Sequence, residues 1–394
     1  MQLATTSPAG QPQKNKAGFY LPNLDSLRAI AAIMVIVSHI AQYQQTLFSK
    51  IEVHLVGRMG VIVFFTLSGF LITYLLLKEK SEASNINVKA FYLRRILRIW
   101  PLYFLILFLV YVVLHWGFPE IASLSSSQTH FTSILLNIFF LTNVTFILKL
   151  TPFIITPIWS IGIEEQFYIF WPWIVKQTKV WAIRLIIGVM LFMPLIRLAA
   201  NVCGSVFHIE ALQTASRIFA TTKFDQMAFG GLMAYVGFNK KIHFGKFILH
   251  LEWIQKKNVQ LIAILMFFVL FWMILIKTFN PEILFYPLCY SVGIIICNLA
   301  LNPQTTLSIE TRIGNYLGKI SFGLYLCHMP IIFISNYLLK HFYQNMHGLA
   351  AYFVPYIVIL PATIAVAAIS YHFWEMPFLK LKHKFSYQTK SNGK

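Results

Sequence analysis

Apolar residues recur along the chain in stretches long enough to cross a lipid bilayer. Residues 60–77 and 260–276 are two of them, each close to the roughly 20 apolar residues that a membrane-spanning helix needs. The pattern predicts an all-α fold, a polytopic transmembrane helical bundle. Candidate helices lie at about residues 25–46, 59–78, 97–117, 131–148, 158–175, 179–200, 224–239, 259–277, 282–300, 314–339 and 350–374.

The basic residues between these helices indicate a topology. If all eleven candidates crossed the membrane, the basic residues at 176–184 and 240–257 would lie outside, against the preference of Lys and Arg for the cytoplasm. The conflict disappears if 131–157, which contains prolines and polar residues, is a re-entrant or surface segment on the outer side. We therefore predict about ten spans plus this segment, with both termini cytoplasmic. Lys50 and Arg58 in the first outer loop do not fit this arrangement.

The amino-acid composition also indicates a membrane protein, and it limits the kinds of partner that the basic residues are expected to bind. The 394 residues are 58% hydrophobic and 11% charged, which is too little charge to cover a soluble domain. The net charge of +19 would suit a nucleic-acid-binding protein, but the basic residues stand at the ends of apolar stretches. We therefore expect membrane lipids, and no nucleic acid, as their partners. The four cysteines have no metal-ligand spacing, so we expect no metal.

One membrane domain accounts for most of the chain. We predict a disordered cytoplasmic tail at 1–22, the membrane domain at 23–380 and a basic cytoplasmic tail at 381–394. The first apolar segment follows a polar lead and has no clear small-residue cleavage site. It is therefore interpreted as a retained first span and not as a signal peptide.

Ionisable residues inside predicted spans are costly in lipid and therefore mark functional positions. The first span contains Arg28 and His39, which are 11 residues apart. At about 100° per residue they lie within about 20° of one helix face, separated by about 16 Å along the axis. With Asp25 on the same side, this arrangement favours a catalytic role for His39 over a structural one.

A cluster of arginines begins the third candidate span. Arg94, Arg95 and Arg98 stand there, and Arg94 and Arg98 are i,i+4 neighbours that can grip a polyanion together. The alternative is a positive-inside anchor next to an aromatic belt.

Two adjacent carboxylates lie inside another predicted span. Glu164 and Glu165 have no lipid-facing explanation, and Ser160, Glu164 and Tyr168 share a helix face at i,i+4 spacing. Entered from outside, Glu164 would lie about 9 Å deep, which matches the outer-half depth of His39. A purely structural hydrogen-bonding role is the alternative.

A second intramembrane histidine follows near the end of the chain. His328 is predicted at the depth of His39, with Ser321 on its face, and helix packing is the alternative reading. Asp225 and Glu375 stand at predicted helix ends, where solvation or capping could explain them.

These motifs, taken in chain order, resemble the acyltransferase-3 family of integral membrane acyltransferases. The matching segments are 24–29 with His39, 64–70, 94–101, 159–168, 318–328 and 375–377. The resemblance implies an enzyme that moves an acyl group, usually acetyl from acetyl-CoA, to a carbohydrate hydroxyl. It also implies that Arg28 and His39 are essential and that the arginine cluster is associated with function. Some relatives carry a periplasmic transferase domain after the membrane part, so the resemblance leaves two alternatives: this chain completes the transfer alone, or it hands the acyl group to such a partner.

The residues and the resemblance lead to one mechanistic hypothesis. Acyl-CoA would dock its phosphates at Arg94, Arg95 and Arg98 and pass Arg28 towards His39, which acts as general base or carries the acyl group. Glu164 or Glu165 would orient the imidazole or bind the sugar or glycolipid acceptor, assisted by the side chains that line the cavity: Ser160, Tyr168, Ser321 and His328. The expected location is the bacterial inner membrane.

Two other function classes compete with the enzyme. A transporter or flippase for a polysaccharide precursor also uses intramembrane His, Glu and Arg. The arginine cluster lies on one side of the membrane only. This suits a donor that binds from that side better than a transported solute, which must be exposed to both sides in turn. A passive scaffold does not explain paired carboxylates at the depth of a histidine.

Overall fold

A computed structural model describes residues 20–43, 53–114, 131–244 and 247–385. Nearly all of them are helical, which confirms the predicted polytopic helical bundle. The predicted tails at 1–22 and 381–394 fall largely outside the described residues, and the division into domains stays a prediction.

Helices occur at all ten positions where spans were predicted. Eight of them are long and apolar enough to cross a membrane among the described residues. With short continuations, they are α1 (Leu24–Tyr43), α2 (Val53–Ala83), α3 (Val88–Phe108), α7 (Lys179–Val206), α11 (Lys257–Leu275), α12 (Pro281–Leu301), α14 (Ser321–Leu338) and α16 (Leu349–Ile369). The other two are α6 (Ile158–Lys176), which carries the carboxylates, and the shorter α9 (Phe224–Asn239).

Residues 131–157 do not form one continuous helix. They are divided into α4 (Phe131–Ile138), α5 (Thr142–Ile147) and a 3-10 turn (Phe153–Ile155). The predicted helix at 131–148 is therefore wrong in its continuity. Hydrogen bonds between buried side chains hold the pieces together: Thr145 Oγ1 donates to Asn137 Oδ1 (2.8 Å) and Thr151 Oγ1 to Thr145 Oγ1 (2.8 Å). Other polar side chains satisfy backbone carbonyls that the broken helix leaves unpaired: Ser133 Oγ donates to the Leu150 carbonyl (2.8 Å) and Gln166 Nε2 to the Phe140 carbonyl (2.9 Å).

Several smaller elements are not anticipated from the sequence. They are the helix α8 (Glu210–Thr221), the antiparallel hairpin of β1 (Lys241–Phe244) and β2 (Phe247–His250), and the short helices α10 (Leu251–Ile254), α15 (Lys340–Gln344) and α17 (Met376–Leu381). The predicted helix at 314–339 is present but is divided at Ile320 into α13 (Arg312–Lys319) and α14. A π-helical turn (Ser370–Glu375) and a final 3-10 turn (Lys382–Phe385) flank α17. Most are too short to show a periodic apolar pattern in the sequence.

The long helix α2 packs between α1 and α9 at the centre of the bundle. Gly69 makes the contact with α9 close, because a Cβ atom there would stand 1.9 Å from the Met227 carbonyl oxygen. Gly230 makes the reciprocal contact with the Thr66 carbonyl of α2. Small residues at helix contacts allow this approach in membrane bundles, where packing replaces the hydrophobic effect.

Basic residues gather at one end of the bundle, where α1 begins and α2 and α6 end; we call it the basic end. There the Lys80 ammonium group donates to the backbone carbonyls of Val175 (3.1 Å) and Lys176 (3.0 Å), and Lys179 donates to the Lys241 carbonyl (3.3 Å). Residues assigned to separate cytoplasmic loops therefore meet on one surface. The opposite end, where α1 and α7 terminate, is the far end.

Arg58, an exception to the predicted topology, lies at the far end. Its guanidinium group donates to the Glu282 carboxylate and stacks over the Phe285 ring, 4.5 Å from the centroid. A paired arginine is less costly there than a free one. Lys50, the other exception, lies outside the described residues.

Candidate active site

Two histidines from different helices meet inside the bundle. His39 of α1 and His328 of α14 place Nδ1 and Nε2, respectively, 3.1 Å apart, with ring centroids 5.0 Å apart. His328 is fully buried, whereas His39 is half-buried. A hydrogen bond of this kind fixes one ring against the other and sets which nitrogens carry protons.

The tautomers of the pair follow from what surrounds His328. Its Nδ1 is buried without a hydrogen bond of good geometry among the described residues, although the backbone carbonyls of Leu324 and Tyr325 lie nearby. A proton on this Nδ1 faces those carbonyls and leaves Nε2 of His328 as an acceptor. His39 then donates from Nδ1, and its Nε2 keeps a free lone pair. That lone pair is what a general base or an acyl carrier needs.

Tyr325 links the histidines to a third helix. Its ring centroid lies 5.8 Å from that of His328, and its hydroxyl is 2.7 Å from Ser160 Oγ on α6. The same hydroxyl donates to the Pro157 carbonyl at 3.2 Å. The side chain therefore connects the histidine pair to the start of the helix that carries the two carboxylates.

Polar side chains surround a cavity of about 90 Å³ beside Tyr325. Three arginines reach it, Arg28 from α1 and Arg95 and Arg98 from α3, and Glu164 is the carboxylate in its wall. Hydroxyl groups complete the polar lining, namely Ser68, Ser160, Tyr168, Ser321 and Tyr325. Charged groups inside a bundle are expected to face such a cavity rather than lipid.

Glu164 belongs to a chain of hydrogen bonds. The Tyr168 hydroxyl donates to Glu164 Oε2 at 2.8 Å, and Ser68 Oγ lies 2.5 Å from that hydroxyl. The Arg95 guanidinium group stands 5.6 Å from the Tyr168 ring centroid. This network fixes Glu164 with its charge directed into the cavity.

Glu165, its neighbour in sequence, points elsewhere. Trp100 Nε1 donates to Glu165 Oε2 at 3.1 Å, while Oε1 is buried without a partner among the described residues. Adjacent residues on a helix face directions about 100° apart, which explains the separation. Of the two predicted carboxylates, Glu164 lies in the cavity wall and Glu165 lies behind it.

The predicted arginine cluster divides in a similar way. Arg94 forms an ion pair with Glu79 (2.7 Å) and donates to the Phe385 carbonyl (2.7 Å). Within the part of the chain that the structure describes, Arg98 has no carboxylate within 4 Å. Arg94 thus has a structural pairing, whereas Arg98 is available to an anion.

A larger cavity of about 410 Å³ opens at the basic end. Arg28, Arg98 and Phe322 belong to its wall and to that of the 90 Å³ cavity. The two cavities are therefore neighbours, and together they lead from the basic end to Tyr325. Buried Glu375 lines the larger cavity, whereas Asp225 lies at the far end, paired with Arg197 at 2.5 Å.

Comparison with known proteins identifies the family. A family model described as an acyltransferase domain, that of the acyltransferase-3 family, matches residues 21–372. The chain belongs to the acyltransferase-3 family. The histidine pair and the 90 Å³ cavity lie within the matched residues, whereas part of the wall of the larger cavity, from Glu375 to Lys382, follows them.

The chain is also similar to individual acyltransferase-3 proteins. O-acetyltransferase OatA of Staphylococcus aureus, strains NCTC 8325 / PS 47 and COL, is 29% identical over 398 residues, 95% of this chain. The match covers 60% of those relatives, so the chain spans about three fifths of their length. No solved structure matches the chain significantly.

Two residues of this candidate site are absent from the sequence-based prediction. Tyr325 stands one helical turn before His328, and Ser68 lies in the 64–70 segment, so both are within motifs that carried the resemblance. The helical period places Tyr325 on the same face as His328 and could have identified it. Hydroxyl groups in membrane spans usually bond to their own helix, so this signal alone does not indicate a functional role. Among the described residues there is no group of His, Cys, Asp and Glu that could hold a metal ion.

Proposed function

We propose that this chain transfers an acyl group, most simply acetyl, from acyl-CoA to a hydroxyl of a cell-surface carbohydrate or glycolipid. The observation that carries the proposal is the route of cations and hydroxyls that leads from the basic end to Tyr325, whose ring centroid lies 5.8 Å from that of His328. Membership of the acyltransferase-3 family and similarity to an O-acetyltransferase support the reaction class. The proposal includes a bacterial inner membrane with the basic end and both termini in the cytoplasm.

Arginines would bind the donor in this reaction. Acyl-CoA is anionic at its nucleotide end, so Arg98 and Arg28 would attract its phosphates. The thioester would then enter the 90 Å³ cavity beside Glu164 and Tyr325. Arg95, which stands over Tyr168, would stabilise negative charge on the thioester oxygen during attack.

His39 would perform the chemistry through Nε2. As a base, it takes the proton of the acceptor hydroxyl while the hydroxyl oxygen attacks the thioester carbonyl; the C–S bond breaks and the thiolate leaves with that proton. As an acyl carrier, Nε2 itself attacks the thioester carbonyl, the C–S bond breaks and the thiolate leaves; the acceptor hydroxyl then takes the acyl group from the imidazole, and its proton passes to the thiolate. In both routes His328 stabilises the positive imidazole by accepting the Nδ1 proton in a hydrogen bond.

The acceptor would approach His39 from the far end. A carbohydrate hydroxyl reaches it directly, or a periplasmic partner transferase receives the acyl group first and passes it on.

Transfer assays with His39→Ala test the proposal. Purified protein in detergent, given radiolabelled acetyl-CoA, should label an acceptor glycan or slowly hydrolyse the thioester. His39→Ala should lower either rate about 10³-fold or more, because general-base and nucleophilic contributions reach this size. Normal thermal unfolding of the variant serves as the control for folding. Undiminished acyl transfer would contradict the role of His39, and solute movement without thioester cleavage would favour a transporter.

A further inference from the structure

The cavity at the basic end has an excess of positive charge. Six basic side chains line it against the two carboxylates of Asp25 and Glu375; the basic ones are Arg28, Arg94, Arg98, Lys319, Lys380 and Lys382. Two of the arginines are paired, Arg28 with Asp25 (3.1 Å) and Arg94 with Glu79 (2.7 Å). The remaining four basic residues have no carboxylate within 4 Å in the described ranges. Unneutralised cations around a cavity favour a polyanionic ligand.

The final turn of the described chain forms one wall of this cavity. The segment Lys382–Phe385 follows α17 and is fixed to α3 by the bond from Arg94 to the Phe385 carbonyl. The preceding π-helical turn is held by Trp374 Nε1, which donates to the Pro101 carbonyl at 3.0 Å. Lys382 is therefore held against the arginines of α3 and is not part of a free tail.

We propose that Lys382 is a further ligand of the donor's phosphate groups, which the proposed function already assigns to the arginines of this cavity. The inference rests on the proposed function for its choice of donor. A volume of about 410 Å³ falls in the range of about 300–1,000 Å³ typical of small-molecule sites. Coenzyme A carries a diphosphate and a 3′-phosphate at one end, so its charge matches the unpaired cations.

The surroundings of Lys382 give the site a measurable signature. Burial and the positive charges of Arg98, Arg95, Arg94 and Arg28 lower the pKa of the Lys382 ammonium group to about 7.

The other charged groups around the cavity are Lys319 and Lys380, opposed by Asp25 and Glu375. A bound phosphate would offset the repulsion and raise the pKa again, so Lys382 takes up a proton as the anion binds.

Calorimetric titration of the purified protein with coenzyme A tests the site. Dephospho-coenzyme A and pantetheine are titrated in parallel, at pH 6 and pH 8, in two buffers of different ionisation enthalpy. Coenzyme A should bind at least 100-fold more tightly than pantetheine, because charge-assisted contacts to phosphate are lost. Proton uptake should approach about 0.9 per site at pH 8 and about 0.1 at pH 6, as a free-state pKa near 7 requires.

Three variants identify the contribution of Lys382. Lys382→Ala should weaken coenzyme A binding about tenfold at pH 7, the loss of one charge-assisted hydrogen bond. Lys382→Arg should keep the affinity and abolish proton uptake, since an arginine stays charged at pH 8. Lys384→Ala is the matched control, because Lys384 is exposed on the same turn and does not line the cavity.

Unchanged affinity of Lys382→Ala for coenzyme A, or equal affinity for pantetheine, would overturn the site. Competition by phosphatidylglycerol with no effect of the donor's phosphates would show a lipid site instead and would also overturn it. Binding is measured without turnover, so the two proposals fail separately. Lys382-dependent binding without acyl transfer would refute the proposed function alone, and transfer with no role for Lys382 would refute this inference alone.

Discussion

The bundle contains two groups of ionisable residues, and they differ in how their charges are balanced. At the far end, Arg197 donates two hydrogen bonds to Asp225 and a third to Tyr286, and the carboxylate of Asp225 is buried. Along the cavities, Arg98 lacks a partner among the described residues and Glu164 bonds to a tyrosine. Paired charges hold helices together, whereas charges without a counter-ion around a cavity can bind a charged ligand. Charge inside a membrane bundle therefore indicates function only when its balance is known.

The largest expected difference concerns stability at the far-end pair. Arg197→Ala should destabilise the protein by about 3–5 kcal/mol, because it leaves the buried Asp225 carboxylate without its counter-charge. Thermal unfolding in detergent measures the effect. Arg184→Ala in the same helix is the control, since Arg184 is exposed and should cost less than about 0.5 kcal/mol. Equal unfolding temperatures for Arg197→Ala and Arg184→Ala would contradict the distinction between the paired charges at the far end and the unpaired charges along the cavities.

His328 is buried, as Asp225 at the far end is, but it is proposed to act in the reaction through its hydrogen bond to His39. His328→Leu should lower kcat about 100-fold, since the Nδ1–H of His39 loses its acceptor and the productive tautomer is no longer favoured.

His328→Gln, whose amide oxygen can accept that bond, should recover part of the rate and shift the pH profile of kcat. A purely packing role predicts the reverse order, with the apolar replacement tolerated as well as the polar one.

Removal of Arg98 should weaken substrate binding without lowering stability, which is the opposite of the effect expected for removal of Arg197. Arg98→Ala should raise KM for acyl-CoA about tenfold through the loss of a charge-assisted contact. The unfolding temperature should stay unchanged or rise, because Arg28 and Arg95 lose a like-charged neighbour. A large fall in stability would place Arg98 among the structural residues and weaken the contrast.

The smallest effect is expected at the ion pair between Arg58 and Glu282. Half of the Glu282 side chain is exposed, so solvent screens the attraction. Glu282→Gln should therefore change the free energy of unfolding by less than about 1 kcal/mol. A loss comparable to that of Arg197→Ala would mean that lipid and not water surrounds this pair.

The sequence by itself determined the fold class and the candidate chemistry. Apolar length predicts helices at all ten span positions, because a bilayer requires each spanning segment to satisfy its own backbone bonds. The helical period places Arg28 and His39 on one face. Charged residues are rare inside membrane spans, so the intramembrane charges can be recognised in the sequence as candidate functional positions. These are local properties, which sequence spacing records directly.

Only the tertiary structure decided which of those residues meet. His39 and His328 are 289 positions apart and hydrogen-bonded, and Glu164 and Glu165 are adjacent but face different surroundings. Pairing of Arg94 with Glu79 and of Asp225 with Arg197 depends equally on how helices pack. A sequence shows which charges exist, but their balance is set by neighbours from other helices, and that balance separates structural residues from those free to bind a ligand.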